Sequence, residues 1–223
     1  MKKVLIIAPH PDDESFGCGG TILKHIFDKD EVHWLIITNI AVENGWKKET
    51  VLRRNKLIND ISKKYNFKFS HELKKPTTCL DQIPMNELIQ DISKIVNTVK
   101  PNIMYLPHAS DVHTDHQICF KAAYSCTKSF RFPFLEKVMS YETLSETDFT
   151  PPNNNNLFAP NVFVDITKFY RKKIEILKLY KSEIKPHPFP RSLENVESLA
   201  KLRGSSIGVK YAESFMLLKD IIR

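Results

Sequence analysis

The chain has 223 residues, of which 42% are hydrophobic and 26% are charged, and its formal net charge is +7. This composition excludes a disordered chain and supplies enough apolar side chains for one sizeable core. The first apolar run is too short for a signal peptide, and no run approaches the roughly 20 apolar residues of a membrane span. We therefore expect a cytoplasmic protein without a membrane-spanning segment.

The positive charge and the cysteines each argue against a class of function. Lysines are spread through helix-like segments such as KKETVLRRNKLINDISKKY, which is typical of solvated helix faces, and nucleic acid is therefore not the expected partner. The cysteines are widely spaced and form no CxxC pair, which argues against a disulfide framework and against a thiolate zinc site. They are Cys18, Cys79, Cys119 and Cys126.

Buried strands alternate with amphipathic helices over the first half of the chain. The runs VLIIA (4–8), EVHWLIITN (31–39) and NIMYLP (102–107) are apolar throughout, which is typical of strands buried on both faces of a parallel sheet. Between them, apolar residues recur at helical spacing. We predict helices that start near Gly20, at 47–65 with Asn66 as the C-cap and at 85–100, and a short strand around 66–69.

The last third of the chain is less regular. Strands are predicted at 138–144 and 161–167, separated by a surface loop that contains four asparagines (153–156). Helices at 168–182 and 192–203 and a final segment, YAESFMLL, follow. Because strands alternate with helices and no linker or repeat interrupts the chain, we predict one α/β domain over residues 1–223. Its expected architecture is a Rossmann-like, doubly wound, mostly parallel sheet with helices on both faces and an irregular C-terminal third.

Histidines and acids cluster directly after two of the predicted strands. PHPDDE (9–14) follows the first strand, and HASDVHTDH (108–116) follows the strand at 102–107. In an open α/β sheet, ligands bind beyond the carboxyl ends of the strands, so the two clusters should meet at one edge of the fold. Two imidazoles with one carboxylate form a ligand set suited to zinc or ferrous iron, with positions left open for water.

The paired motifs resemble those of the PIG-L/LmbE-type metal-dependent N-deacetylases, which act mainly on N-acetylglucosamine conjugates. The resemblance extends to GCGGTI (17–22). RGSSIGVKYAESF (203–215) is similar to the branch that contains the bacillithiol-pathway N-acetylglucosaminyl-malate deacetylase. The segments YKSE and HPFPRS, within 180–192, are similar to members found with surface-sugar genes.

The resemblance implies a role for each residue of the paired motifs. His10, Asp13 and His116 would bind the metal, which is Zn²⁺ with Fe²⁺ as the alternative in vivo. Asp12 would be the general base that takes a proton from water. His113, in its protonated form, would assist the carbonyl oxygen or the leaving amine, and Asp115 would orient it. The role of Glu14 stays open between support of the site and a helix-terminal charge.

Arginines are the candidate contacts to the sugar conjugate. Family members use an arginine in the helix after the second strand, where Arg53 is the better match and Arg54 the alternative. Arg191 and Arg203 could contact an anionic aglycone such as malate, phosphate or a nucleotide diphosphate, because the guanidinium fork matches such groups. Trp46 could stack on a sugar face.

The leading hypothesis is a zinc-dependent hydrolase that removes acetyl from an N-acetylated amino sugar, a small-molecule conjugate. The alternative is a metal-containing binding module for nucleic acid or another anionic partner, which would have no use for an acid free of the metal such as Asp12. A phosphoester hydrolase is a third option, although that chemistry often uses two metals and more carboxylates. The identity of the sugar conjugate and the oligomeric state, a homo-oligomer included, stay open.

Overall fold

The computed structural model describes residues 1–152 and 157–222, so the asparagine run at 153–156 lies outside the described residues. The strands are β1 (Lys3–Ala8), β2 (Glu31–Asn39), β3 (Phe69–Pro76), β4 (Ile103–Leu106), β5 (Lys137–Tyr141), β6 (Val162–Asp165) and β7 (Ala212–Asp220). The helices are α1 (Asp13–Phe27), α2 (Lys48–Tyr65), α3 (Met85–Val99), α4 (Thr114–Ser125), α5 (Tyr170–Leu177) and α6 (Leu193–Ser205). None of the described helices is both long enough and apolar enough to cross a membrane.

One seven-stranded sheet runs through the molecule in the order β3-β2-β1-β4-β5-β7-β6. The first five strands of that order pair in parallel, and β7 pairs antiparallel with both β5 and β6. The order reverses between β1 and β4, so the loops that follow these two strands part at this point and leave a crevice. This mostly parallel, doubly wound α/β architecture confirms the fold class predicted from the sequence.

The core lies in two layers on opposite faces of the sheet. Side chains alternate across a strand, and on β1 the residues Val4 and Ile6 pack with α1, α2 and α5, whereas Leu5 and Ile7 pack with α3 and α4. All four are fully buried. Burial on both faces is the reason that β1 reads as an unbroken apolar run rather than as an alternating one.

Several elements differ from the sequence prediction, among them α5, which spans Tyr170–Leu177 rather than 168–182. α1 begins at Asp13 rather than near Gly20, because acids are favourable in the first turn of a helix and the glycines are tolerated inside it. α4 was not predicted, because its apolar periodicity is weak. β3 begins at Phe69 rather than covering 66–69. Asn66 is the left-handed C-cap of α2, as predicted.

α1 is broken at Cys18, whose φ of −142° and ψ of 22° are not helical. The break leaves backbone groups without partners inside the helix, and two side chains from other elements satisfy them. Glu213 of β7 accepts hydrogen bonds from the backbone N–H groups of Gly20 (2.8 Å) and Thr21 (2.7 Å). Lys173 of α5 donates to the carbonyl of Phe16 (2.8 Å) and to Glu213 (2.7 Å).

Gly17 allows α1 to approach β5 closely. A Cβ atom at this position would lie 2.3 Å from Cδ2 of the Tyr141 ring, a distance that side-chain carbons do not reach. The Tyr141 hydroxyl in turn donates to the carbonyl of Ile7 at 2.9 Å. The first half of α1, which begins with Asp13, is therefore held directly against the sheet.

Candidate active site

The two histidine- and acid-rich segments meet at the carboxyl ends of β1 and β4, where the strand order reverses. Asp12 and Asp13 lie at the start of α1, and His113 and His116 lie at the start of α4. Each pair is placed by a short loop that follows a buried strand. The edge of the sheet therefore brings together residues that lie about a hundred positions apart in the sequence, as the placement of ligand sites in open sheets predicts.

His10, Asp13 and His116 form a compact group of metal-type donors. Their ligand atoms lie within 4.8 Å of one another, and Asp13 Oδ2 lies 3.2 Å from both His10 Nδ1 and His116 Nε2. Among the described residues, Asp13 Oδ1 and His116 Nε2 are buried without a hydrogen-bond partner. Burying such atoms unpaired is costly, and a cation between them would offset that cost. The group therefore fits a divalent metal such as zinc.

Protons and a cation compete for this group. Burial lowers the pKa of His10, but hydrogen bonds to Asp115 and Asp13 outweigh it and raise the pKa to about 9. Burial also lowers the pKa of His116, and Asp13 and Asp111 outweigh it and raise the pKa to about 10. Burial raises the pKa of Asp13, but His116 and His10 hold it well below its usual range. Metal binding must therefore displace protons from the histidines.

The carboxylate of Asp115, which was expected to orient His113, contacts the imidazole of His10. Asp115 Oδ2 lies 3.0 Å from His10 Nε2 and accepts from the backbone N–H of Thr78 at 2.7 Å, and Oδ1 accepts from the N–H of Leu80 at 3.1 Å. Because these contacts occupy both oxygens and His10 Nε2, they leave Nδ1 of His10 facing Asp13. Such an outer carboxylate fixes the ring orientation of a metal-binding histidine.

Asp111 holds His116 in the same way, and the sequence reasoning gave it no role. Its Oδ2 lies 2.8 Å from His116 Nδ1, and its Oδ1 accepts from the Thr147 hydroxyl at 2.6 Å. Asp111 is fully buried. Its position inside HASDVHTDH is the sequence signal that could have identified it.

His113 is the N-cap of α4, and this contact sets its protonation state. Its Nδ1 accepts a hydrogen bond from the backbone N–H of Asp115 at 3.1 Å. A nitrogen that accepts carries no proton, so the ring is the neutral tautomer with its proton on Nε2. Burial and the neighbouring His10 and His116 lower the pKa of His113 to about 4. These contacts favour a neutral His113 with its proton on Nε2, whereas the sequence reasoning expected a protonated ring.

Asp12 is paired with Arg191 from the loop before α6. Arg191 Nη1 donates to Asp12 Oδ2 at 2.8 Å, and Arg191 Nε donates to the Ser145 hydroxyl at 2.8 Å. Burial raises the pKa of Asp12, Arg191 lowers it in part, and Asp13 adds to the rise. The guanidinium that was predicted to contact an anionic aglycone is therefore paired with side chains of this protein, and Arg191 also lines the cavity described next.

A cavity of about 350 Å³ opens beside Asp12 and His113. Arg54 of α2 lines it, whereas the neighbouring Arg53 is exposed and is not among the described residues of the cavity wall. Of the two candidates from the sequence, the alternative Arg54 is therefore the one that lies on the described cavity wall. Arg203 is also absent from the described part of the wall, because it forms a two-pronged ion pair with Glu142 at 2.9 and 2.7 Å.

Glu14 points away from the metal-type donors into the core. Its Oε1 accepts hydrogen bonds from the hydroxyls of Ser15 (2.5 Å) and Tyr180 (2.8 Å). Burial raises the pKa of Glu14 to about 8. Its contacts place it in a hydroxyl network between α1 and the segment after α5.

Comparison with known proteins gives three close parallels. The diacetylchitobiose deacetylase of Thermococcus kodakarensis is 24% identical over 99% of this chain and 85% of that protein. The conserved protein TT1542 from Thermus thermophilus has a TM-score of 0.78 and 24% identity, with 100% of this chain and 97% of that chain covered. The N,N'-diacetylchitobiose deacetylase from Pyrococcus horikoshii has a TM-score of 0.74 and 23% identity, with 98% and 84% covered. At these identities the two solved structures establish the fold.

The family comparison covers both motif-bearing segments. The model of the PIG-L family, GlcNAc-PI de-N-acetylase, matches residues 5–127. That range contains PHPDDE and HASDVHTDH and amounts to more than half of the chain. The chain therefore belongs to the PIG-L family and is an enzyme of the deacetylase type.

Proposed function

We propose that this protein hydrolyses the N-acetyl group of an N-acetylglucosamine-type amino sugar, giving acetate and a free amine. The reaction would depend on a divalent metal, zinc or ferrous iron, held by His10, Asp13 and His116. Family membership and the similarity to a diacetylchitobiose deacetylase support this reaction and this class of substrate.

One observation carries the proposal. A cluster of metal-type donors, two of whose buried atoms lack hydrogen-bond partners among the described residues, lies next to a buried carboxylate and opens on a cavity. A bound divalent cation would polarise the amide carbonyl and lower the pKa of a water molecule to about 7. A purely structural metal site would need neither the neighbouring acid nor the cavity.

In this proposal Asp12 accepts the proton of the attacking water, and two features of its carboxylate support the role. Its Oδ1 is buried and has no hydrogen-bond partner among the described residues, while Oδ2 is held by Arg191. The raised pKa of Asp12 makes it a stronger base than an ordinary aspartate. The same carboxyl group can then return the proton to the departing nitrogen, so that water adds to the amide and the amine leaves neutral.

His113 contributes a hydrogen bond rather than a proton. The neutral ring keeps its proton on Nε2, because Nδ1 is occupied by the N–H of Asp115. An Nε2–H that lines the cavity can donate to the carbonyl oxygen as negative charge develops on it. A preorganised donor of this type is worth about 10²–10³ in rate.

The test is amine release from a panel of N-acetylated amino sugars by metal-loaded protein. We expect release that a chelator abolishes, and a loss of at least about 100-fold in kcat for Asp12→Asn, the scale of general base catalysis. Asp60→Asn, an exposed position on α2, is the matched control and should match the wild type. Full activity of folded Asp12→Asn would contradict the mechanism, and no amine from any substrate would contradict the function.

A further inference from the structure

Arg191 has a buried guanidinium whose nitrogen atoms bind in two directions. Its side chain is only 10% exposed. In one direction, Nη1 donates to Asp12 Oδ2 at 2.8 Å. In the other direction, Nε donates to the Ser145 hydroxyl at 2.8 Å and to the Leu144 carbonyl at 3.1 Å. The side chain therefore joins the proposed general base to the turn at 144–149, which follows β5.

The backbone that carries Arg191 is itself fixed at the start of α6. Ser192 is the N-cap of this helix, and its hydroxyl accepts from the N–H of Asn195 at 3.2 Å. The amide of Asn195 donates in turn to the carbonyls of Phe189 and Pro190, at 3.3 and 3.1 Å. These contacts hold the chain on both sides of Arg191, so the side chain extends from a fixed point.

The guanidinium is also fixed relative to α1, the helix that begins at the candidate metal ligand Asp13. Its central carbon lies 4.8 Å from the centre of the Phe16 ring, and an aromatic face attracts a cation at this distance. Nη2 lies 3.7 Å from Asp13 Oδ1, which is too far for a hydrogen bond. Arg191 therefore binds the carboxylate of Asp12 and does not occupy Oδ1 of Asp13.

This arrangement decides which way the carboxylate of Asp12 faces. The last torsion of an aspartate is soft, so a carboxylate without partners rotates and exchanges its two oxygens. Here Oδ2 accepts from Arg191, whereas Oδ1 is buried without a hydrogen-bond partner among the described residues. With Oδ2 held, Oδ1 is the oxygen left to take a proton from water. Catalytic groups need such support, because a small displacement lowers the rate.

Resting on the proposed function, we propose that Arg191 is a positioning residue that fixes the orientation of the Asp12 carboxylate, and that Ser145 supports Arg191 in this role. The guanidinium acts on the reaction through Asp12 and makes no contact with the substrate. Its fork is essential because separate nitrogen atoms must reach Asp12 and the turn at once, and a lysine offers a single nitrogen.

The first test is Arg191→Lys, which keeps a positive charge beside Asp12 and Glu146 but removes the fork. On the substrate from which the wild type releases most amine, kcat should fall by about 100-fold, the cost of a catalytic group misplaced by about 1 Å, and KM should stay within about threefold. Arg171→Lys, at an exposed position on α5, is the matched control. Unchanged kinetics, or a raised KM with unchanged kcat, would overturn the inference.

Arg191→Ala gives a readout that a purely structural role would not change. Arg191 lines the cavity, so a small cation from solution can reach the space that the substitution leaves. Methylguanidinium should raise the kcat of this variant by at least about tenfold, whereas methylammonium, which has the same charge but no fork, should not. Arg191→Ala combined with Asp12→Asn should not respond, because no carboxylate is left to orient. Equal effects of the two cations, or a response of the double variant, would contradict the positioning role.

Ser145→Gly tests the support of Arg191 separately from stability. The φ of Ser145 is 73°, in the left-handed region that favours glycine, so the midpoint of thermal unfolding should not fall below the wild-type value. The substitution removes the hydroxyl that accepts from Arg191 Nε and leaves the Leu144 carbonyl. We expect kcat to fall by about three- to tenfold, the worth of one hydrogen bond. Full kcat would overturn the role of Ser145.

A measurement without turnover separates this inference from the proposed function. Amine release from no substrate by the wild type would contradict the proposed function. Crystal structures of the wild type and Arg191→Lys compare the orientation of the Asp12 carboxylate whether or not either protein is active. We expect one orientation in the wild type and a different or divided one in the variant. The same single orientation in both would overturn the inference.

Discussion

At the scale of single residues, the site depends on which atom of each side chain is already occupied. His113 uses Nδ1 to cap α4, and His10 uses Nε2 to contact Asp115. Each ring is left with one nitrogen for chemistry, and the two nitrogens differ: Nε2–H on His113 is a donor, and Nδ1 on His10 is a candidate metal ligand. Backbone and carboxylate contacts therefore decide which nitrogen of each ring is available.

His113→Asn tests the dual role of this residue. Asparagine is among the best N-cap residues, so its side-chain oxygen should replace the contact to the Asp115 N–H and keep the midpoint of thermal unfolding within about 2 °C of the wild-type value. The cavity loses the Nε2–H donor, and kcat should fall by about 10²–10³. His113→Ala loses both and should be less stable by about 1 kcal/mol. Unchanged kcat in the asparagine variant would contradict the donor role.

At the scale of elements, α1 is two helical pieces that other elements hold in register. The break at Cys18 exposes the N–H groups of Gly20 and Thr21, and the carboxylate of Glu213 lies where a helix N-terminus favours negative charge. Lys173 neutralises Glu213 and satisfies the carbonyl of Phe16. The pieces of α1, β7 and α5 are thereby tied together behind Asp13.

Glu213→Gln should destabilise the protein strongly. Lys173 is buried, and the substitution would leave its ammonium group without a charged partner, which costs about 3–5 kcal/mol. The free energy of unfolding in urea is the measurement. Adding Lys173→Met should recover part of the loss, because the unpaired charge is then removed as well. Glu49→Gln on the exposed side of α2 is the control. If Glu213→Gln lowered the free energy of unfolding by no more than this control does, the stabilising role of the Glu213 and Lys173 contacts would be contradicted.

At the scale of the whole molecule, the site joins two distant parts of the chain. The candidate ligands His10 and Asp13 follow β1, and His116 follows β4, so a metal between them would link both halves of the crevice. A ligand that binds the folded state alone stabilises it, by about 2.7 kcal/mol at a concentration 100 times its dissociation constant. Metal binding at this site would therefore stabilise the folded state.

Zinc should raise the midpoint of thermal unfolding of chelator-treated protein. The rise should shrink as the pH falls from 8 to 6, because protons then compete more strongly with the metal for His10 and His116. The pKa values of these two histidines are raised to about 9 and 10. His116→Ala should abolish the rise, and His187→Ala, an exposed histidine, should keep it. Scanning calorimetry measures the shift. An equal rise in His116→Ala would place the metal elsewhere.

The sequence alone predicted those features that depend on a local pattern of residue types. Apolar runs identified the strands that end at the site, and the clustered histidines and acids identified the residues that the sheet brings together. The start of α1 was missed because its glycines and its break at Cys18 depend on contacts to Tyr141 and Glu213. The pairing of Arg191 with Asp12 spans 179 positions, and no local pattern reports such a contact.

The two loops that follow β2 and β3 and approach the cavity differ in how freely their residues could be substituted. Thr78 and Leu80, after β3, donate their N–H groups to Asp115 and so reach His10 through one carboxylate. The segment 42–49, after β2, is exposed along its length. A designer who wished to retarget this enzyme could exchange the segment that carries Trp46 for one of another length and leave the catalytic chemistry in place, whereas grafting at 77–80 would also disturb His10.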